Sequence, residues 1–356
     1  MKKLPRVLFL LLGLSLTAPL LGGANPKKIP VTTAKPKENK VYPIAIIGAG
    51  AGGTMALKRA ILNNREVLLF SGAKKEIKRS RGNWVRKVQN IPGLDKYSRT
   101  IVELRDETLN DIVSGPFKKN FFLVPESVTA LKKEGDLFRL QDSSGHSYLA
   151  QYVVLATGMM DEQPHIQGSI KPVLSYANNQ TIAYCMLCDG HRAFQKNTAV
   201  IGHSDDAGRG ACLLMDRYHP AKVILLTNGH QPEFSEETKA RLQAKNIQVV
   251  ESPIKKVLGD KKILKGFQFE SAKEVAVEMG FVALGIRPNN SLAKQIDAQL
   301  DMRGLVLTDA NGETSVANLF VVGDLRANST KQIYTAWQHA VDAIQLIDHR
   351  IRTEQK

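Results

Sequence analysis

The body of the chain opens with a strand, a glycine turn and a helix, and the same unit returns later. The first copy runs from Tyr42-Pro-Ile-Ala-Ile-Ile through Gly48-Ala-Gly50-Ala-Gly-Gly53 into a helix-like run reaching Asn64, followed by the apolar strand Val67-Leu-Leu-Phe70. The second copy starts at Thr198-Ala-Val-Ile-Gly202, continues as a helical pattern to Tyr218 and ends in the strand Lys222-Val-Ile-Leu-Leu226. Apolar strands alternating with helical segments predict parallel sheets buried on both faces, so the fold class is α/β with two Rossmann-like units.

Between the copies lie Phe121-Phe-Leu-Val124, Ser127-Val-Thr-Ala130, Phe138-Arg-Leu140 and Tyr148 to Leu155, with a turn at Ser143-Ser-Gly145. Their alternation predicts antiparallel strands. Phe320-Val-Val-Gly-Asp324 reads as a strand returning to the first unit, which would make the second unit an insertion into the first. Two dinucleotide-type units with a small antiparallel insertion form a three-layer ββα flavoprotein arrangement.

At 356 residues, with 43% hydrophobic and 23% charged residues, the chain is long enough for two domains and is not a disordered composition. Of the net charge of +15, nearly half comes from the first 40 residues, where seven Lys and Arg6 face only Glu38. The body carries no long basic run, aromatic-rich basic platform or helix-turn-helix pattern, so its charge reads as a solvated surface and no nucleic-acid partner is expected. Lys2, Lys3 and Arg6, then the apolar stretch Val7 to Leu21, then Gly22-Gly-Ala24 read as an export signal cleaved before Asn25. Export to a periplasmic or extracellular space is expected, with an uncleaved N-terminal anchor as the alternative. Asn25 to Lys40 reads as an exposed linker.

Gly48, Gly50 and Gly53 stand at a strand-to-helix junction. Gly48 permits the tight turn, Gly50 lets backbone approach a pyrophosphate, and Gly53 lets the helix pack against the strand, with the positive helix end facing the anion. Ser71, where a ribose-binding carboxylate is usual, argues against NAD at this first site; Ser71 and Gly72 offer a hydroxyl and backbone donors instead. Thr157 and Gly158 follow the strand Val153-Val-Leu155, Gly323-Asp324 ends another, and all four are candidate cofactor-binding residues. Asp324 is suited to the ribityl chain of a flavin or, equally, to a turn or helix cap.

There are three cysteines. Cys185 and Cys188 are too close to staple a large loop, so reversible dithiol–disulfide chemistry suits them better than a structural bridge. Zinc held by Cys185, Cys188 and His191 is the rival reading, but it needs a fourth ligand and no second cysteine pair exists, so no metal is expected. Cys212, beside Leu213 and Leu214, reads as a packing residue.

Taken in order, Gly48-Ala-Gly-Ala-Gly-Gly53, Asn90-Ile-Pro-Gly93, Ala156-Thr-Gly158, Cys185-Met-Leu-Cys-Asp-Gly190, Gly285-Ile-Arg-Pro-Asn289 and Gly323-Asp324 resemble the motifs of the thioredoxin reductase family, over about Val41 to Ile347. The resemblance implies an FAD-dependent oxidoreductase. Residues 41–160 and 287–350 would form the FAD-binding domain, and 161–286 an NAD(P)-type domain carrying the cysteine pair. It implies that Cys188 faces the flavin, that Cys185 exchanges with the substrate disulfide, and that Asp189 handles the proton. Gly48, Gly50, Gly53, Ser71, Gly72, Asn90, Asp324, Gln332 and Ile333 would line FAD, and Gly202, Ser204 and Ala207 the nicotinamide cofactor, NADPH or NADH. A thioredoxin-like protein or a small disulfide or dithiol is the implied substrate. Relatives are often homodimers. They also alternate between two domain orientations, which would set hinges near Gly158 to Gln163 and Gly285 to Asn290.

The second turn departs from the family pattern. Gly202-His-Ser204-Asp-Asp-Ala207 has Ser204 where a glycine would allow close backbone approach. Leu226-Thr-Asn-Gly-His-Gln-Pro-Glu-Phe234 holds no Arg or Lys for a 2′-phosphate, and Glu233 would repel one. Three readings follow: a reductase fed by NADPH or NADH, an exported thiol oxidase passing electrons from dithiols through FAD to oxygen or to another protein, and a non-enzymatic flavin-fold or zinc-binding protein.

Overall fold

The structure is a computed structural model that describes Val31 and residues 33–73, 80–94 and 100–354. The first half supplies strands β1 (Val41–Ile47), β2 (Val67–Phe70), β3 (Phe121–Val124), β4 (Val128–Glu134), β5 (Leu137–Asp142), β6 (Ser147–Leu155) and β7 (Met159–Asp161), and helices α1 (Ala51–Leu62) and α2 (Ile101–Ser114). The second supplies β8 (Ile182–Ala183), β9 (Asn197–Ile201), β10 (Lys222–Leu226), β11 (Gln248–Val250), β12 (Ile254–Gly259), β13 (Leu264–Phe269), β14 (Glu274–Ala276), β15 (Met279–Val282), β16 (Ile286–Pro288) and finally β17 (Leu319–Val321). Its helices are α3 (Lys171–Asn178), α4 (Met186–Asp189), α5 (Asp205–Tyr218), α6 (Glu236–Ala244), α7 (Ser291–Gln295) and α8 (Ile333–Glu354).

The first sheet explains the sequence pattern of β6. Its first residues alternate between half-buried and buried where they pair antiparallel with β5, and its last four are all buried where β1 and β17 flank it in parallel. One strand therefore changes from a two-residue period to continuous burial as its neighbours change. β17 restores the chain to this sheet beside β6, with Leu319 opposite Val153, as the returning-strand reading required. β3 pairs in parallel with β2, not antiparallel as its grouping with the neighbouring strands predicted. Its run Phe-Phe-Leu-Val is nearly all buried, the signature of a parallel strand.

The second sheet has the order β11-β10-β9-β15-β8, all parallel, with its own apolar core. The mixed α/β architecture with two Rossmann-type sheets is the expected fold class. The antiparallel meander β12-β13-β14 was not read from the sequence. The two passages between the sheets pair with each other: β7 runs antiparallel to β16, Ile286 opposite Asp161 and Pro288 opposite Met159. Thr157 locks this ribbon, its hydroxyl donating to the Asn289 carbonyl at 2.7 Å while Asn289 Nδ2 returns a bond to the Thr157 carbonyl at 2.8 Å. Both segments expected as hinges thus belong to a single two-stranded ribbon.

The proposed export segment, residues 1–24, lies outside the described residues; among those described, no helix is long and apolar enough to cross a membrane. The end of the expected linker is drawn onto the body. Leu123 N–H donates to Thr33 Oγ1 at 3.1 Å, Lys37 N–H to the Tyr42 hydroxyl at 2.8 Å, and Lys40 pairs with Glu66 at 2.8 Å. Lys40 also lies over the Tyr42 and Phe122 rings, so a charge read as solvent-facing caps an aromatic edge of the sheet.

Candidate functional site

The three glycines of the first turn have different physical reasons. Gly48 has φ +106° and its N–H donates to the Phe70 carbonyl at 2.8 Å; a Cβ there would stand 2.4 Å from the Ala156 oxygen. A Cβ on Gly53 would stand 1.9 Å from the Gly48 oxygen. Both are demanded by the protein's own packing. Gly50 has an ordinary extended backbone and nothing within 4 Å of where a Cβ would be. It borders a cavity of about 710 Å³, at the N-terminus of α1. The open space at Gly50 fits the pyrophosphate of a dinucleotide, so the residues present suit FAD.

Asn90, Gly158, Cys185, Cys188, Asp189, Gly323, Asp324, Gln332 and Ile333 line the same cavity. Gly48, Gly53, Ser71, Gly72 and Thr157 do not. The backbone donors of Ser71 and Gly72, offered to a ribose by the sequence reading, are engaged by the Val124 and Glu126 carbonyls at 3.0 and 3.2 Å. β3 explains this: it runs parallel to β2, and the chain continuing past its end pairs with the turn that follows β2.

Cys185 and Cys188 form a disulfide, with Cα atoms 5.2 Å apart. Cys188 N–H points at Cys185 Sγ at 3.1 Å. The loop is pinned onto α5 from beneath: a Cβ on Gly210 would come within 2.7 Å of Met186 Sδ, and one on Gly190 within 2.2 Å of the Tyr218 ring. The glycine closing the Cys-x-x-Cys-Asp-Gly motif is therefore a packing requirement. From the segment just before α8, Gln332 Nε2 approaches Cys188 Sγ at 3.3 Å and Cys185 Sγ at 3.8 Å. Asn90 Nδ2 donates to Gln332 Oε1 at 2.7 Å.

Asp189 is held above the ordinary carboxylate range by burial, against the opposing pull of Arg192 and His191. Arg192 Nε lies 3.4 Å from it, and the rest of that guanidinium binds the Gln180 carbonyl, the Gln180 side chain and the Gln89 side chain. Burial also raises Asp324, opposed by Arg81 and Lys331. Arg81 was not singled out in the sequence. It grips Asp161 of β7 with two guanidinium nitrogens, Nε to Oδ2 at 2.8 Å, and lies 3.9 Å from Asp324. No local signal marks it, since its carboxylate partners lie far along the chain. Asp324 sits in a short 3-10 turn, Gly323–Leu325, rather than capping α8. Cys212 is fully buried in the second core, as expected, and burial raises its thiol.

At the second turn, Gly202 is again a packing requirement: a Cβ would meet the Ala283 oxygen at 2.5 Å and Ala207 Cβ at 2.6 Å. Ser204 stands at the N-cap position of α5 without a side-chain capping bond and bridges Glu233, whose N–H donates to the His203 carbonyl at 2.7 Å. The His203 and His230 rings stack at 4.5 Å. Asp205 accepts the Ser235 N–H and hydroxyl, both at 2.9 Å, and is pulled down to about 2 by hydrogen bonds from the Thr238 hydroxyl first and then Ser235. Asp205 and Asp206 both pair with Arg209. The first turn of α5 thus already carries two carboxylates answering its positive end. A 2′-phosphate would find Glu233 nearby and no Arg or Lys between Leu226 and Phe234, so the residues fit an unphosphorylated dinucleotide better than a phosphorylated one.

The model of the pyridine nucleotide-disulphide oxidoreductase family matches residues 42–342. The chain belongs to this family. FAD and a nicotinamide donor are the cofactors of such enzymes, and the chain is accordingly a flavoprotein oxidoreductase. It is 26% identical over 322 residues to thioredoxin reductase of Mycoplasmopsis pulmonis, spanning 88% of this chain and 99% of that one. Thioredoxin reductase of Treponema pallidum is 26% identical over 302 residues, 83% of this chain and 92% of that one. The fold is shared with thioredoxin reductase of Streptococcus pyogenes, at TM-score 0.76 and 22% identity over 88% of this chain and 99% of that one. The enzyme of Giardia duodenalis gives 0.74 and 21% over the same shares. The thioredoxin reductase resemblance drawn from the motifs therefore holds across the body of the chain.

Proposed function

We propose that this flavoprotein moves two electrons between FAD and the Cys185–Cys188 pair, and between that pair and a dithiol or disulfide substrate. The observation that carries the reading is the approach of Gln332, from the segment just before α8, to Cys188 Sγ at 3.3 Å. Gly50, Asn90, Asp324, Gln332 and Ile333 would hold FAD, which when bound supplies a two-electron store matched to one disulfide. Cys185 would be the sulfur that exchanges with substrate and Cys188 the one kept at the cavity. Asp189, raised by burial, can hold a proton at neutral pH to a greater degree than an ordinary carboxyl, as a group managing the departing thiolate should.

A protein substrate of thioredoxin type is favoured by the apolar surface around the site. Leu187, between the cysteines, is 51% exposed and Phe194 55% exposed, with Trp84 and Tyr334 exposed on the other sheet's side. Such side chains on a surface fit a partner that covers them during exchange. A small disulfide or dithiol is the competing substrate. Export and a homodimer remain part of this reading. Sequencing the mature N-terminus after cell fractionation tests the first, and solution mass measurement the second.

For the electron donor, the second turn favours NADH over NADPH. It also supports a second reading, thiol oxidation with oxygen as acceptor, because Asp205 and Asp206, paired with Arg209, occupy the first turn of α5 and Glu233 bridges Ser204. One experiment separates these. Purified protein is mixed anaerobically with NADPH, NADH or a dithiol while flavin absorbance is followed. Bleaching by NADH supports the reductase, and bleaching by dithiol alone, reversed by air, supports the oxidase. A preparation that carries no flavin rejects both.

A further inference from the structure

Gln332 is one of the few buried polar side chains, 6% exposed, and a buried amide is expected to have its hydrogen bonds made. Its oxygen takes the Asn90 amide at 2.7 Å. Its nitrogen is the end nearer the sulfurs, 3.3 Å from Cys188 and 3.8 Å from Cys185, with the oxygen 3.6 Å from Cys188. A disulfide sulfur is a weak acceptor, so in the oxidised enzyme this donor is poorly answered. A thiolate is a charged acceptor, to which the same donor binds much more strongly. We propose that Gln332, aimed by Asn90, is a catalytic residue that stabilises the Cys188 thiolate and so favours the reduced form of the pair.

The step it serves is thiol–disulfide exchange with a dithiol. A substrate thiolate attacks Cys185 Sγ, forming a mixed disulfide. The Cys185–Cys188 bond breaks, and Cys188 Sγ leaves with the electron pair as a thiolate, accepting the Gln332 N–H. The second substrate thiol then gives its proton to water and attacks its own sulfur in the mixed disulfide, releasing Cys185 as a thiolate and the substrate as a disulfide. The substrate is oxidised by two electrons and the enzyme pair is reduced by two. The reverse sequence reduces a disulfide substrate. Cys185 has a nearer donor, the Cys188 N–H at 3.1 Å, with Gln332 at 3.8 Å, whereas Gln332 at 3.3 Å is the donor nearest Cys188. Asn90 is a positioning residue: while it donates to Gln332 Oε1, the amide nitrogen is directed at the sulfurs.

This inference rests on the dithiol–disulfide reading above, and its test reads the sulfurs directly rather than turnover. Holoprotein is equilibrated anaerobically at one pH in dithiothreitol buffers of stepped potential, thiols are trapped by alkylation and counted by mass, and bound flavin is measured separately. Gln332→Leu is expected to lower the equilibrium constant for reduction about tenfold, which is about 30 mV more negative for a two-electron couple. Asn90→Leu removes the donor to Gln332 Oε1 without adding charge, frees the amide to turn, and is expected to shift the potential the same way, providing the test if the Gln332 variant fails to fold. An equilibrium constant within twofold of the wild-type value in whichever of these variants folds overturns the inference. A wild-type protein without flavin overturns the functional reading instead, while the shift between variants still decides the role of Gln332.

Discussion

Gly53 lies against the carbonyl of Gly48, so closely that a methyl group on Gly53 would stand 1.9 Å from that oxygen, whereas Gly50 between them faces open space. The two positions therefore separate folding from ligand binding. Gly53→Ala should destabilise the protein by about 3 kcal/mol or more, since backbone must shift. Gly50→Ala should leave the thermal midpoint of the flavin-free protein nearly unchanged and weaken FAD binding at least ~tenfold, because its Cβ meets only the bound pyrophosphate. Thermal melts of stripped protein and flavin titration measure the two effects.

Asp189 gives a prediction in pH. Burial raises its pKa, so the carboxyl keeps its proton above the usual carboxylate range. Asp189→Asn should cut turnover by about 100-fold or more while leaving FAD bound, as for loss of a proton-handling group. The pH–rate profile of the wild-type enzyme should carry a limb above the ordinary carboxylate range that the variant lacks. A variant with the same limb would assign it to another group.

His339 of α8 predicts acid sensitivity. It is buried, its Nδ1 has no partner, and desolvation, with Arg326 and Lys331 adding to it, lowers its pKa to about 4. The unfolded chain, titrating near the ordinary 6.5, then binds more protons than the native one as pH falls. Stability contributed by neutral His339 is complete above the unfolded value and is lost progressively as pH drops from about 6.5 toward 4. Urea unfolding at pH 7.5 and pH 5 should show this loss, and His339→Gln should flatten it.

The second turn predicts a cofactor preference. With Glu233 exposed near the end of β10 and no cation in the Leu226–Phe234 stretch, NADH should reduce the flavin more efficiently than NADPH. Glu233→Arg should raise the NADPH to NADH ratio of kcat/KM about tenfold, equivalent to ~1.4 kcal/mol. Stopped-flow reduction of the two proteins provides the ratio. An unchanged ratio would mean that Glu233 does not face the adenosine ribose.

Much of the fold was legible in short stretches. The continuous burial of Val67–Phe70, the glycine turns at Gly48 and Gly202, the returning strand at Phe320 and the Cys185–Cys188 pair are local patterns, and the structure contains each of them. Local patterns fail where pairing partners matter. Phe121–Val124 has the composition of either strand type, and only its position beside β2 makes it parallel. Ser71 and Gly72 suit a ribose on their own chemistry, but the chain following β3 engages their backbone.

The sequence by itself determined the fold class, the positions of the two glycine turns and the closeness of Cys185 and Cys188. Each follows from burial, backbone freedom or spacing over a few neighbouring residues. Only the tertiary structure decided that Gln332 faces Cys188, that Arg81 holds Asp161, and that Glu233 crosses the second turn. Those contacts join residues far apart in the chain. They depend on how the β7–β16 ribbon hangs one sheet against the other, a geometry set by the summed packing of both cores rather than by any local pattern.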